Sequence, residues 1–120
     1  MAYTCYKVNQ SQLFDIAKPQ HENVFASHIT CEFGVPEDAP LPKEVGYVRV
    51  VGIAEDDKAQ ALIVSVDGVT ERPRGGLYHI TLSTADGVKP VYSNQMINEQ
   101  GYMPIPPKWI DAKASIVNWN

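Results

Sequence analysis

Cysteine is scarce in this chain. The only two, Cys5 and Cys31, lack the spacing of a zinc or redox motif, so two free thiols in a reducing compartment are expected. A Cys5–Cys31 disulfide is the other possibility. Long hydrophobic runs are missing: no stretch approaches the ~20 apolar residues of a membrane span. The first ten residues place no apolar segment behind a basic one, which argues against a signal peptide. A cytoplasmic protein without membrane contact is therefore expected. Positive charge is not in excess either. The net charge is −4, whereas tracking along duplex nucleic acid needs a basic surface. A small ligand or a short RNA end fits better. What remains is an ordinary globular composition, 44% hydrophobic over 120 residues. That length suits a single domain over residues 1–120, expected to be monomeric and able to bury a core without disulfides.

The hydrophobic pattern reads as short strands with two short helices. A strand is predicted over 3–8. A helix follows, capped by Asn9 or Ser11, running to residue 17 or 18 and ended by Pro19. Residues 19–23 read as loop, 24–33 as a strand, and 34–42 as a loop with three prolines. Residues 44–54 and 59–66 make an antiparallel hairpin across a turn at 55–58. A loop from Asp67 through Pro73-Arg74-Gly75-Gly76 leads to a strand at 77–83 and a turn at 85–89. A short helix is predicted at 91–98, a proline-rich loop at 101–107 and a closing strand at 108–119. Five or six strands with two helices make an α+β class.

One internal echo organises the chain. Ser27-His28-Ile29-Thr30 and Tyr78-His79-Ile80-Thr81 lie in two separate predicted strands. Alternation puts residues i and i+2 on one face, so His28 shares a face with Thr30, and His79 with Thr81. Ile29 and Ile80 then point into the apolar side. If the strands converge, one neutral imidazole can take a proton from water and one protonated imidazole can give a proton to a leaving oxygen. The hydroxyls can hydrogen-bond the non-bridging oxygens of a phosphodiester. A lone His-x-Thr in a strand is usually a half-buried histidine with a satisfied hydrogen bond. Here two of the three histidines carry the motif, in a chain with only five threonines. His21 has no such partner and reads as surface. Glu32 is the one carboxylate spaced to share a His/Thr face, and neither motif is His-x-His or HExxH. No metal and no cofactor are expected.

At these residues the sequence resembles the 2H phosphoesterase superfamily, which is defined by two His-x-Ser/Thr motifs. It is most similar there to the catalytic domain of 2′,3′-cyclic nucleotide 3′-phosphodiesterase and to the cyclic phosphodiesterase domains of tRNA ligases. The runs SQLFDIAKPQHENVFASHITCEFG, RPRGGLYHITLSTADGVKPV and PPKWIDAKASIVNWN carry the likeness. The resemblance implies a bilobal fold, two small antiparallel sheets around a central cleft, with one motif from each lobe. It implies hydrolysis of 2′,3′-cyclic phosphates of nucleotides or RNA ends to 2′-phosphates, in RNA repair or processing. It makes His28, Thr30, His79 and Thr81 catalytic, with His79 as base and His28 as acid, an order the sequence leaves open. Phe33, Pro90 and Val91 match family positions that approach the nucleotide. Strict alternation sets Phe33 opposite Thr30, so its role needs a bend before Gly34; otherwise Phe33 is core. Arg74, with Arg72, can steer an anionic substrate or be a solvated loop charge. Trp109 and Trp119 read as packing. Two alternatives remain: cleavage of 2′,5′-oligoadenylate or cyclic oligonucleotide signals, and a non-catalytic nucleotide or RNA-end binding module.

Overall fold

Branched and aromatic residues dominate the segments that become strands, and turn residues separate them. A computed structural model describes residues 1–119; Asn120, the last residue of the expected domain and of the family-like closing run, lies outside the described residues. The elements are β1 Ala2–Val8, α1 Gln10–Ile16, β2 Asn23–Val24, β3 His28–Val35, β4 Tyr47–Glu55, β5 Ala59–Ser65, β6 His79–Thr84, α2 Tyr92–Gln100 and β7 Met103–Asn118. The strands form one seven-stranded sheet in the order β2-β6-β5-β4-β7-β1-β3, and every pairing is antiparallel. This is the expected α+β class.

The sheet curls until β3, at one end, touches β6, near the other. Ile29, Ile80, Leu62, Val64 and Ile110 fill the inside of the curl. On the outer side of β5, Ile63, Ala61 and Ala59 pack under Met96 and Ile97 of α2. Covered on both faces, β5 is buried throughout, which explains its continuous apolar run where a half-exposed strand would alternate. The Asn9 side chain caps α1 by accepting from the Ser11 and Gln12 amides.

Two predicted boundaries fail for identifiable reasons. The proline-rich stretch 101–107 is mostly strand, because β7 begins at Met103. Over this stretch β7 pairs with β4 only, and a register shift near Val51 accommodates the prolines. Pro106 and Pro107 fall between the pairs Gly52–Pro104 and Val50–Lys108, where the ladder is already interrupted, so their missing donors cost no regular ladder bond. Beyond residue 111, β7 leaves β4 and pairs with β1.

The predicted strand 24–33 is broken at Ala26, where φ is +47°. Before the break the chain follows β6: the Phe25 amide donates to the Leu82 carbonyl (3.0 Å) and the Ala26 amide to the Thr81 carbonyl (2.9 Å). After it, His28 onward follows β1. This switch carries the first His-x-Thr segment from alongside the second motif's strand to the far end of the sheet. Ala26 is fully buried in a left-handed conformation. Ala26→Val is expected to cost about 1–3 kcal/mol. Ala26→Gly should stay within about 1 kcal/mol, since relief of backbone strain offsets the lost methyl. Urea unfolding measures both, and equal losses would refute the strain account.

Candidate active site

His28 is the first residue of β3 and His79 the first of β6. The contact between those strands brings both imidazoles and both companion threonines into one cleft of about 510 Å³. That volume lies within the ~300–1,000 Å³ common for small-molecule sites. Tyr3, Phe33, Arg72, Pro90, Val91 and Asn94 line the same cleft. Ile29 and Ile80, between the paired residues, are fully buried and anchor each strand.

Each imidazole is held at Nδ1. His79 Nδ1 lies 2.9 Å from the Leu77 carbonyl. A carbonyl only accepts, so this nitrogen carries a proton and the neutral ring keeps its lone pair on Nε2. His28 Nδ1 lies 2.9 Å from Ser27 Oγ, a hydroxyl that serves as donor to a neutral ring or acceptor from a charged one. Burial pushes both imidazoles below the ordinary histidine range. The Lys7 ammonium lowers His28 further. For His79 the Leu77 carbonyl opposes the effect of burial, while Arg72 and His28 add to it. If the two rings work as acid and base, Ser27→Ala should lower turnover about 2–10-fold by freeing the His28 ring, the value of one hydrogen bond. It should also shift the pH profile, a change that a general loss of fold would not produce.

Thr81 Oγ1 is 2.9 Å from Ser93 Oγ and donates to the Pro90 carbonyl at 3.4 Å, tying the motif to the start of α2. At that end of α2, Pro90 and Val91 line the cleft.

Phe33 reaches the cleft through a bulge that bends β3 ahead of Gly34. Along β1 and β3, Lys7 pairs with His28, Cys5 with Thr30, and Tyr3 with Phe33. A register shift between Thr4 and Cys5 inserts one extra residue of β3. Cys31 and Glu32 both turn to the opposite side, where they line a separate cavity with Thr4 and Tyr6. This bulge puts Phe33 in phase with Thr30 and removes Glu32 from the His28 face. Phe33 is 65% exposed, so it is not core. It stacks on Trp119 (centroids 4.8 Å) and on Tyr3 (6.0 Å), and Tyr3 lies 5.2 Å from His28.

Arg74 stands outside the lining of this cleft and pairs with Glu32 at 3.1 Å. Arg72 takes the place expected of it, held by the Gly75 carbonyl (3.2 Å) and Asn94 Oδ1 (3.0 Å). Gly76 permits this approach: a Cβ there would lie 2.7 Å from Arg72 Nη2. Trp109 departs from expectation. It is 61% exposed, with Tyr47 edge-on and the Arg49 guanidinium over its ring. His21 is not a free surface residue, since its Nε2 meets the Asp56 carbonyl at 3.1 Å. Cys5 and Cys31 are buried free thiols, and burial raises both.

Sequence reasoning missed Tyr3, Phe25, Ser27 and Asn94 as cleft residues. Ser27 directly precedes His28 and was the one visible signal; the others arrive through pairing and helix placement. Among the described residues, no three His, Cys, Asp or Glu side chains gather as a metal-holding group, and no helix is long and apolar enough to cross a membrane. Comparison of the chain with protein-family models, curated proteins and solved structures finds no match.

Proposed function

We propose that this cleft is the active site of a metal-independent phosphodiesterase. It hydrolyses 2′,3′-cyclic phosphates of nucleotides or RNA ends to 2′-phosphates, with the 2H phosphoesterase arrangement. The observation that carries this reading is the convergence of two half-buried imidazoles and their threonines on one nucleotide-sized cleft. We read the curled sheet as bilobal, β7 serving β4 with its first part and β1 with its last.

In this reading His79 Nε2 takes a proton from water, supported by the lone pair that the Leu77 carbonyl leaves on that nitrogen. The water oxygen bonds to phosphorus, and the bond from phosphorus to the 3′ oxygen breaks. Protonated His28 delivers its Nε2 proton to that oxygen, and the Ser27 hydroxyl accommodates the ring in both states. Thr30 donates a hydrogen bond to a non-bridging oxygen, where negative charge builds, and Thr81 does so by turning its one proton away from the long contact to the Pro90 carbonyl. Phe33, Tyr3 and Trp119 form an aromatic face for the base.

The test is turnover of a panel of 2′,3′-cyclic nucleotides with excess EDTA, the product identified by NMR or mass. A 2′-phosphate product with EDTA-insensitive rates is expected. Abolition by EDTA would sink the reading. So would inertness toward every cyclic phosphate, and 2′,5′-linked and cyclic oligonucleotides in the same panel identify another phosphodiester as the substrate. Tight nucleotide binding without turnover over hours would instead mark a binding module.

A further inference from the structure

A second cavity, about 670 Å³, adjoins the cleft on the β6 side. Arg72, His79 and Asn94 line both spaces, so the two lie side by side and share these three residues as a common wall. The second is a trough between the turn at residues 72–76 and the exposed side of α2. Its remaining walls are Arg74, the two turn glycines, the apolar Leu77 and Ile97, and the amides of Gln95 and Asn98, and no carboxylate lines it. The turn is rigidly built: the Arg72 amide donates to the Gly76 carbonyl and the Gly75 amide to the Arg72 carbonyl. Gly75 and Gly76 take φ values of +101° and +79°, which only glycine adopts without strain.

The charge balance points to an anion. Among the described residues, the half-buried Arg72 guanidinium bonds neutral oxygens only, those of Gly75 and Asn94. A partly desolvated guanidinium without a carboxylate is poised for a phosphate. Arg74, at the rim, already has Glu32. In a chain of net charge −4 this is a local positive spot beside the histidine pair.

We propose that the trough binds the phosphodiester backbone immediately preceding the reacting nucleotide. The preferred substrate is then an oligonucleotide ending in a 2′,3′-cyclic phosphate, not a free cyclic mononucleotide. This rests on the phosphodiesterase reading and deepens it. A terminal ribose carries three substituents: the base, the cyclic phosphate and the 5′ oxygen. The aromatic face takes the first and the histidine pair the second. The trough beside His79 takes the third, with Arg72 on the 5′ phosphate and the α2 amides along the chain beyond it.

The experiment compares kcat/KM for three substrates: a 2′,3′-cyclic nucleotide, the same nucleotide with a 5′ phosphate, and a trinucleotide ending in the cyclic phosphate. The trinucleotide should exceed the plain nucleotide about tenfold or more, mainly through KM, with the advantage shrinking as salt rises. A 5′ phosphate that recovers the whole advantage would place a free phosphate, and no chain, in the trough, overturning the oligonucleotide claim. Asn98 is exposed, so both of its variants should fold. Asn98→Glu should lower the trinucleotide-to-nucleotide ratio and Asn98→Lys should raise it. Equal kcat/KM for all three substrates, or a ratio indifferent to charge at residue 98, refutes the trough while leaving the phosphodiesterase intact. Inertness toward all three refutes both.

Discussion

His79→Ala is expected to lower kcat/KM toward 2′,3′-cyclic nucleotides by about 10²–10⁴-fold, the usual contribution of one general acid or base. His28→Ala should lose a similar factor. The double variant should lose little more than either single one, because the two imidazoles act as a unit on one displacement. The effect has to be separated from folding, since His79 is half-buried and bonded to Leu77. His79→Asn does this: its amide keeps a donor near the Leu77 carbonyl yet cannot accept the water's proton. It should retain most of the melting temperature and lose the activity. Steady-state rates on a cyclic nucleotide, with thermal unfolding alongside, make the measurement. Near-normal turnover in a folded His79 variant would remove this residue from the chemistry.

The pH dependence should be the second large effect. The base must be neutral and the acid protonated, so the rate profile is a bell. Burial lowers both histidines from about 6.5. Both limbs of kcat/KM, which report the free enzyme, therefore lie on the acid side of that value. The alkaline limb should fall about tenfold per pH unit as the acid loses its proton. Bound phosphate reverses part of the shift, because its negative charge favours imidazolium. The bell in kcat should then sit at higher pH than the bell in kcat/KM. The two titrations belong to the coupled pair, not to either ring alone. Folding stability follows the same sign. With folded values below the unfolded one, the unfolded chain binds more protons, so stability is lost as pH falls from about 6.5 through the folded values. Superimposed profiles for kcat and kcat/KM, or an optimum well above neutrality, would contradict buried imidazoles as the titrating groups.

These expectations rest on residues that differ in how openly the chain displays them. The His-Ile-Thr repeat needs only strand alternation to be read: the imidazole and hydroxyl on one face, Ile29 and Ile80 in the core. The Asn9 cap and the β4–β5 hairpin are equally local. Phe33 shows the limit. Alternation assigns it to the wrong face, because the extra residue between Thr30 and Phe33 is a property of the β1 pairing, to which β3 alone is blind. Arg72 and Arg74 are two residues apart in one loop, and no local rule separates them. The partner each found does: Asn94 of α2 for one and Glu32 of β3 for the other.

The chain by itself determined its α+β class, most of its strands and the two His-x-Thr pairs, because those follow from periodicity over a few residues. The tertiary structure alone decided that the sheet curls until β3 meets β6, that Ala26 hands the chain from one strand to another, and that Tyr3, Ser27 and Asn94 join the cleft. Each of these depends on contacts between residues far apart in sequence. Their free energy comes from burial and pairing with distant strands, and no short window of sequence contains both partners.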